Sequence, residues 1–407
     1  MLGIVLAAAA LLGVIVRPFR TNEAWWAAGG AVALVATRAL SPQQAGGALA
    51  RGIDVYLFLV GMMALAEFAR VEGVFDWIAT HAVRAAGASR ARLLLLVYAA
   101  GIVTTTFLSN DATIVVLTPA VLAALARTDA EPAPFVVACA LVANAASFTL
   151  PIANPANLLF FADGMPPLAS WLASFALPAI ASLALTYAAL VLLFRKDVRA
   201  PLHLADGLAA APRAAASATL VLAAVVLVVT ASRAGALGVV TFALGVAATL
   251  VATTRRRRAP LDIARGVAWP VVILTAGLFV IVEALDVAGA AALPRALFAF
   301  ASHAAAPLAK PVVAVAAALA SNVVNNLPVA MDVGRYVGRA HPAQPLAAAA
   351  LVGVNVGPNF TVNGSLATLL WLAILRRHGV RMTAWRFAAI GCVATPLPLV
   401  VASLLAQ

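Results

Sequence analysis

The sequence predicts an all-α polytopic membrane protein of two inverted-topology repeats, with about ten transmembrane helices, two re-entrant hairpins and helices broken at the midplane. Three observations predict it. The 407 residues are 64% hydrophobic and only 10% charged, where soluble domains run near 25% charged, and apolar stretches of spanning length recur along the whole chain. Four polar interruptions fall inside those stretches, two in each half and in the same order. The basic residues divide unequally between alternate loops, as they do when one side of a membrane is cytoplasmic.

In chain order, residues 2–17 read as the first span. A secretory leader would carry a basic start, which this stretch lacks. Spans follow at 24–40 and 52–69. The segment VFDWIATHAVRAAGASR (74–90) reads as an interfacial amphipathic helix anchored by Trp77 and Arg84. Residues 92–127 exceed one crossing and carry LSND at their centre, so they are expected to form a hairpin. Residues 133–162, interrupted by PIANPAN, form one broken crossing, and the span 168–194 completes an N-terminal repeat over 1–194. A polar, Pro- and Arg-containing cytoplasmic linker, 195–213, follows. The C-terminal repeat, 214–407, has spans at 214–231, 235–252 and 267–283. It continues with a hairpin at 307–335 around SNVVNNLP, a broken helix at 344–375 around GPNFTVNGS, and a span at 384–406.

The halves align. GMMALAEFARVEG (61–73) matches GLFVIVEALDVAG (277–289) at an offset of 216, pairing Gly61 with Gly277, Glu67 with Glu283 and Gly73 with Gly289. The same offset lays Ser109 on Asn325, Asn110 on Asn326, and Asp111 on Leu327. Each half holds an odd number of crossings, so the second lies upside down relative to the first. Secondary transporters are commonly built this way, with the substrate site where broken helices meet. With the N-terminus outside, 20 of the 27 Lys and Arg residues fall on one side and 7 on the other. The heavy side should be cytoplasmic and both termini outside.

Irregular backbone within a bilayer is tolerated only where protein or a wet cavity covers it. The first half offers Ser109-Asn110-Asp111 at a hairpin tip and Asn154 to Asn157 in the next helix. The second offers Asn325-Asn326 at a tip and Pro358 to Ser365 in the next helix. Pro removes a donor and Gly permits unusual dihedrals, so freed amides and carbonyls need partners. Helix capping would explain one such Asn; four breaks at matching places point to a substrate site as well. Asp111 is the candidate for proton coupling, because an ionised Asp at mid-bilayer costs about 2.5–3.5 kcal/mol unless it faces a wet site or carries a proton. Glu283 and Glu67 are weaker candidates. Glu67 stands three residues before Arg70, the spacing of an ion pair; Glu283 has no basic residue within a helical turn. Asp332, three residues before Arg335, is expected to pair with it.

The net charge of +12 is explained by basic loops such as TTRRRRAP (253–260), with no soluble domain to bind nucleic acid. Cys139 and Cys392 lie in separate apolar helices and give neither a disulfide framework nor a metal cluster. The histidines His81, His203, His303, His341 and His378 fall in loops or interfacial helices and have no ligand role. No phosphate loop, nucleophile triad or metal-spacing motif is visible. The chain is therefore not expected to be an enzyme or to carry a cofactor, and transport would draw on an ion gradient or a partner protein.

The segments FLSNDATIVVLTPAV (107–121), IANPANLLFF (152–161), ASNVVNNLPVAM (320–331) and GVNVGPNFTVNGSLATLLWLAILRRHGV (353–380) resemble those of the ArsB-type arsenite/antimonite efflux permeases of the ion transporter superfamily. The resemblance covers essentially the whole chain. It implies export of arsenite and antimonite against a proton gradient from a bacterial inner membrane, conferring arsenic resistance. It also implies a homodimer, and optional association with a soluble arsenite-stimulated ATPase. Carried over by position, it implies a site of Asn110, Asp111, Asn154, Asn157, Asn325, Asn326, Asn359, Thr361, Asn363 and Ser365, to which the tip residue Ser109 is added. One departure is Asn355, where an acidic residue would be expected.

Arsenite near neutral pH is an uncharged trihydroxide that both donates and accepts hydrogen bonds, which suits Asn, Ser and Thr. Two cysteines cannot make a three-thiolate arsenic site. Three readings stay open beside this one. A sodium/proton antiporter of the same superfamily would want several oxygen ligands around its cation. An exporter of another neutral hydroxide, such as silicic acid or borate, has the same hydrogen-bonding needs. A membrane subunit that docks an ATPase would present a small basic face around Arg195–Arg199 and Arg255–Arg258. A dicarboxylate carrier is disfavoured, because no Arg or Lys is expected near any of the four breaks.

Overall fold

The computed structural model of the chain describes residues 2–18, 21–162, 164–203, 214–231, 237–256, 260–289, 292–303 and 305–407. Part of the linker (204–213), Arg20, Arg233, Arg257 and Arg258 lie outside them. Throughout the described residues the chain is helical, with one isolated bridge between Ser89 and Pro201.

Helices α1 (Leu2–Val16), α2 (Glu23–Ala36), α3 (Pro42–Arg51) and α4 (Ile53–Val71) open the chain. The capping box of Ser41 with Gln44 starts α3, satisfying amides that a helix end leaves bare. Helix α5 (Val74–Ala86) is the amphipathic segment; Val74, Phe75, Ala79, Ala82, Val83 and Ala86 form its buried face. Helix α6 (Arg90–Phe107), a short α7 (Asn110–Ala112), a π-turn (Thr113–Leu117) and α8 (Thr118–Leu125) form the first hairpin. Pro119 explains the π-turn: it lacks an N–H and its ring crowds the preceding turn, so the helix widens there. The amide and hydroxyl of Thr118 both close on the Thr113 carbonyl, the hydroxyl at 3.0 Å.

Helices α9 (Ala133–Ala145) and α10 (Pro155–Phe160) are the halves of the first broken helix. They are followed by α11 (Leu168–Leu193), with Pro178 inside it, and α12 (Arg195–Arg199). The second half runs α13 (Ala215–Ala231), α14 (Leu237–Arg256), α15 (Pro260–Gly266), α16 (Trp269–Val287) and α17 (Ala292–His303). Then come hairpin arms α18 (Ala306–Val324) and α19 (Asn326–Ala340), broken-helix halves α20 (Gln344–Val356) and α21 (Leu366–Arg377), and α22 (Ala384–Ala394) with α23 (Pro396–Leu405). Among the described residues five helices are long and apolar enough to cross a membrane alone, and two bent pairs, α3–α4 and α22–α23, raise this to seven; each pair bends by 45°. The other apolar helices have 10–17 residues, fewer than the ~20 a straight crossing takes, and several are the pieces of interrupted segments.

The repeat seen in sequence is written in the backbone. Gly73 and Gly289 have φ of 76° and 82°, and each ends a matched helix. Ser109 and Asn325 are both non-glycine residues at positive φ, 135° and 75°. Each caps the arm that follows: Ser109 Oγ accepts from the Ala112 amide (3.3 Å) and Asn325 Oδ1 from the Leu327 amide (3.2 Å). The halves are interlocked. Helix α2 packs on α16, α14 on α4 and α11 on α23, so these long helices take their main partners across the two halves.

The aligned glycines sit at those contacts. Gly61 of α4 faces the backbone of Thr241 and Phe242, and a Cβ on Gly277 would come within 2.6 Å of the Ala27 carbonyl carbon. Small residues let membrane helices approach this closely. Gly61→Val is therefore expected to wedge α4 from α14 and to cost about 3 kcal/mol, read as a lower unfolding temperature in detergent. An unchanged temperature would mean that the contact is not tight in the membrane.

The linker is pinned where it is described. The Leu202 amide donates to Ala88 O (3.0 Å), and the amide and ring of His203 bond the Asp129 carboxylate at 2.9 and 2.8 Å. The His203 backbone hydrogen bond, then its ring and Arg90, push the Asp129 pKa down to about 2.

Candidate functional site

The four backbone breaks converge. One cavity is lined by Asn110 and Asp111 from the first hairpin tip, Asn326 and Leu327 from the second, Asn154 and Pro155 from the first broken helix, and Ser365 and Leu366 from the other. Val271 of α16 completes the lining. The two broken helices enter it alike. Asn154 (φ −149°, ψ 132°) and Ser365 (φ −144°, ψ 145°) are extended, and their side chains accept from the amides of Ala156 (2.9 Å) and Ala367 (3.2 Å). Pro155 opens α10 without an amide to lose, and fixes φ for the first turn.

Asp111 stands in the first turn of its helix, where the dipole favours a negative charge. Its counterpart Leu327 lines the same cavity, so the two half-sites share geometry but not charge. Among the described residues, neither the Asp111 carboxylate nor the side-chain amide of Asn326 has a protein hydrogen-bond or ion-pair partner, although Asn326 is buried. The cavity is closed down to about 10 Å³, room for about one water.

The remaining expected residues go elsewhere, for identifiable reasons. Asn157 is fully buried and serves the break itself. Its Nδ2 donates to the carbonyls of Ser147 (2.8 Å) and Pro151 (3.2 Å), which the interrupted helix leaves free. Its Oδ1 accepts from Asn355 Nδ2 (2.9 Å) across the repeat interface. Asn359 donates to Leu141 O (3.0 Å) and accepts from Asn144 Nδ2 (2.9 Å). Asn154 Nδ2 donates to Asn355 Oδ1 (2.8 Å). These amides form a buried seam joining the two broken helices. Thr361 donates to Asn322 Oδ1 (2.7 Å), and Asn322 Nδ2 to Gly357 O (2.8 Å). Asn325 and Asn363 face a neighbouring cavity of about 20 Å³ that shares Leu366 and holds Arg17 with Glu23, paired at 3.2 Å.

Sequence reading missed Asn144, Asn322 and the bridging use of Asn355. The acidic residue expected at Asn355 would, when ionised, accept from Asn154 but could not donate to Asn157, which is why an amide suits this chain. It also placed no basic residue near a break. Arg17 corrects that, since the end of α1 is brought beside Asn325 only by folding. Glu283, unpaired within its own helix, is bound by Arg51 and by Arg335 (3.1 Å). Arg335 also approaches Asp286 (3.8 Å), which pairs with Arg339, so Asp332 is not the partner expected for Arg335. Acids from α16 reach the guanidinium of α19 first. Glu67 and Arg70 do pair, at 2.5–2.7 Å. Neither glutamate lines the central cavity.

The citrate transporter family (CitMHS) matches residues 8–353. The chain is 27% identical to the arsenical pump membrane protein of Yersinia enterocolitica over 355 residues, covering 82% of this chain and 81% of that protein. It is 28% identical to the arsenical pump membrane protein of Escherichia coli K12, again over 82% and 81%. An uncharacterised transporter of Mycobacterium tuberculosis is 27% identical over 86% of this chain and 85% of its own length. The YdaH transporter of Alcanivorax borkumensis has the same fold, with a TM-score of 0.55 at 16% identity, covering 88% of this chain and 85% of that one.

Proposed function

This chain belongs to the citrate transporter family and is a multi-pass membrane transporter, not an enzyme; from that premise we propose that it exports arsenite and antimonite as neutral trihydroxides in exchange for protons. One observation carries the reading. The four breaks meet at a cavity whose polar lining is Asn110, Asn154, Asn326, Ser365 and a single carboxylate, Asp111. Amides and a hydroxyl offer both donors and acceptors, which an uncharged trihydroxide needs. The likeness to arsenical pump membrane proteins supports the same substrate.

Ionised Asp111 accepts hydrogen bonds from two substrate hydroxyls. A proton arriving from outside converts one acceptor oxygen into a donor and weakens that grip. Proton and cargo thus compete for one carboxylate, which is the requirement for exchange. A solute larger than water needs the two tips to part. The orientation that goes with this puts both termini outside and the first hairpin's arms toward a bacterial cytoplasm. A soluble ATPase would meet the basic cytoplasmic stretch at Arg195–Arg199, and a homodimer would place two such sites side by side.

A second reading has its own support. Arg17 lies in the cavity adjoining Asn325 and Asn363, and the family description names citrate. An organic anion would find a cation there, although Glu23 already neutralises it. Everted vesicles under an imposed proton gradient separate the cases, with arsenite, antimonite, citrate, silicic acid and sodium offered in turn. Arsenite and antimonite uptake is the expected result; uptake of citrate or sodium without arsenite would overturn it. Cys139 is fully buried and Cys392 exposed, and neither lines the cavity. Cys139→Ser combined with Cys392→Ser should transport at the parental rate. Loss of transport in the folded double variant would bring thiol coordination back.

A further inference from the structure

A cavity of about 470 Å³, far larger than the central one, is an apolar groove between α5, α6 and α13. Val74 to Ala85 line one wall along the amphipathic helix. Leu96 to Phe107 line a second along α6, and Val221 and Val225 line a third on α13. From Leu96 to Phe107 the wall runs about 17 Å at 1.5 Å per residue, close to the ~15 Å depth of one leaflet of a bilayer core. A single alkyl chain, about 4–5 Å across at van der Waals contact, takes a few hundred Å³ over that length.

We propose that this groove holds one acyl chain of a membrane phospholipid, its headgroup at the α5–α6 rim and its chain end against Phe107 and Leu108. The rim is basic and exposed: Arg84 lies one turn beyond His81, and Arg92 one turn before Leu96 on the same face. Basic interfacial segments attract anionic headgroups. Phe107 and Leu108 directly precede Ser109, so the chain end packs beside the first hairpin tip. The bound lipid is a structural ligand of that tip and does not depend on which solute is transported.

The test uses the full chain purified in detergent, with dipalmitoyl phosphatidylglycerol as the probe and native mass spectrometry as the readout. Ala99→Trp and Ala85→Trp fill the groove from two walls, both at exposed positions. Leu177→Trp, at a 54% exposed position on α11, is the control. Parent and control are expected to keep one lipid per chain at concentrations that leave both groove variants at least tenfold less occupied. Dihexanoyl phosphatidylglycerol, with the same headgroup, is expected not to bind. Equal lipid retention by either folded groove variant would overturn the proposal, as would tight binding of the short-chain lipid. A parental dimer that both groove variants turn into monomers, with lipid unchanged, would overturn it in favour of a contact between copies.

Discussion

Asp111→Asn is expected to reduce proton-driven arsenite uptake into everted vesicles to the level of vesicles lacking the protein. The variant should fold, because the residue has no protein partner whose loss would be felt, and an amide of the same shape stays in the first turn. It should also retain exchange of labelled for unlabelled arsenite at equal pH on both sides. That exchange needs hydrogen bonds but no titratable group, and the amide supplies both a donor and an acceptor. Coupling and binding are thereby separated in one protein. Gradient-driven, pH-dependent uptake by Asp111→Asn would remove Asp111 from the coupling role, and loss of both uptake and exchange would make it a binding residue only. Leu327→Asp, at the pseudo-equivalent place, should not rescue the asparagine variant, because its half-site is approached by the other hairpin.

Asn355→Ala is expected to be the most destabilising of the seam substitutions, by about 3–5 kcal/mol. It leaves Asn154 Nδ2 and Asn157 Oδ1 without their cross-repeat partners, and each buried polar group left unbonded costs about 1–3 kcal/mol. The two costs are coupled, so the sum is an upper range. Thermal unfolding and protease resistance in detergent both report it. Asn355→Asp is predicted to fall between the parent and the alanine variant at low pH, where a protonated carboxyl still donates and accepts. It should approach the alanine variant as pH rises and a charge is forced into a fully buried position. An alanine variant as stable as the parent would mean that the two broken helices are held by apolar packing alone.

Much of the site was legible because of what a bilayer forbids. A run such as FLSNDATIVV cannot be ignored by lipid, so its polar residues had to be explained locally. The second copy of each break at a fixed offset supplied the explanation. Ser109 and Asn325 were paired by counting residues, and they share a positive φ and a capping role. The Glu67–Arg70 pair was readable for a related reason: three residues on a helix set the distance.

Other features were not readable, because they depend on which helices meet. Sequence spacing could not say that Asn157 and Asn359 would be used up on carbonyls and cross-repeat amides while Asp111 and Asn326 stayed open. It could not bring Arg17 to Asn325, or Arg335 to Glu283 in place of Asp332. The amphipathic pattern of α5 was plain, yet the groove behind it exists only because α13, from the other half of the chain, closes its third side.

A helical membrane protein with two inverted halves and four polar breaks could be read from hydrophobic length, charge asymmetry and repeat offset, because these are one-dimensional quantities. Which polar groups were left without partners depended on the packing of the helices. A hydrogen bond is a pairing in space, and here the decisive pairs join residues some two hundred positions apart.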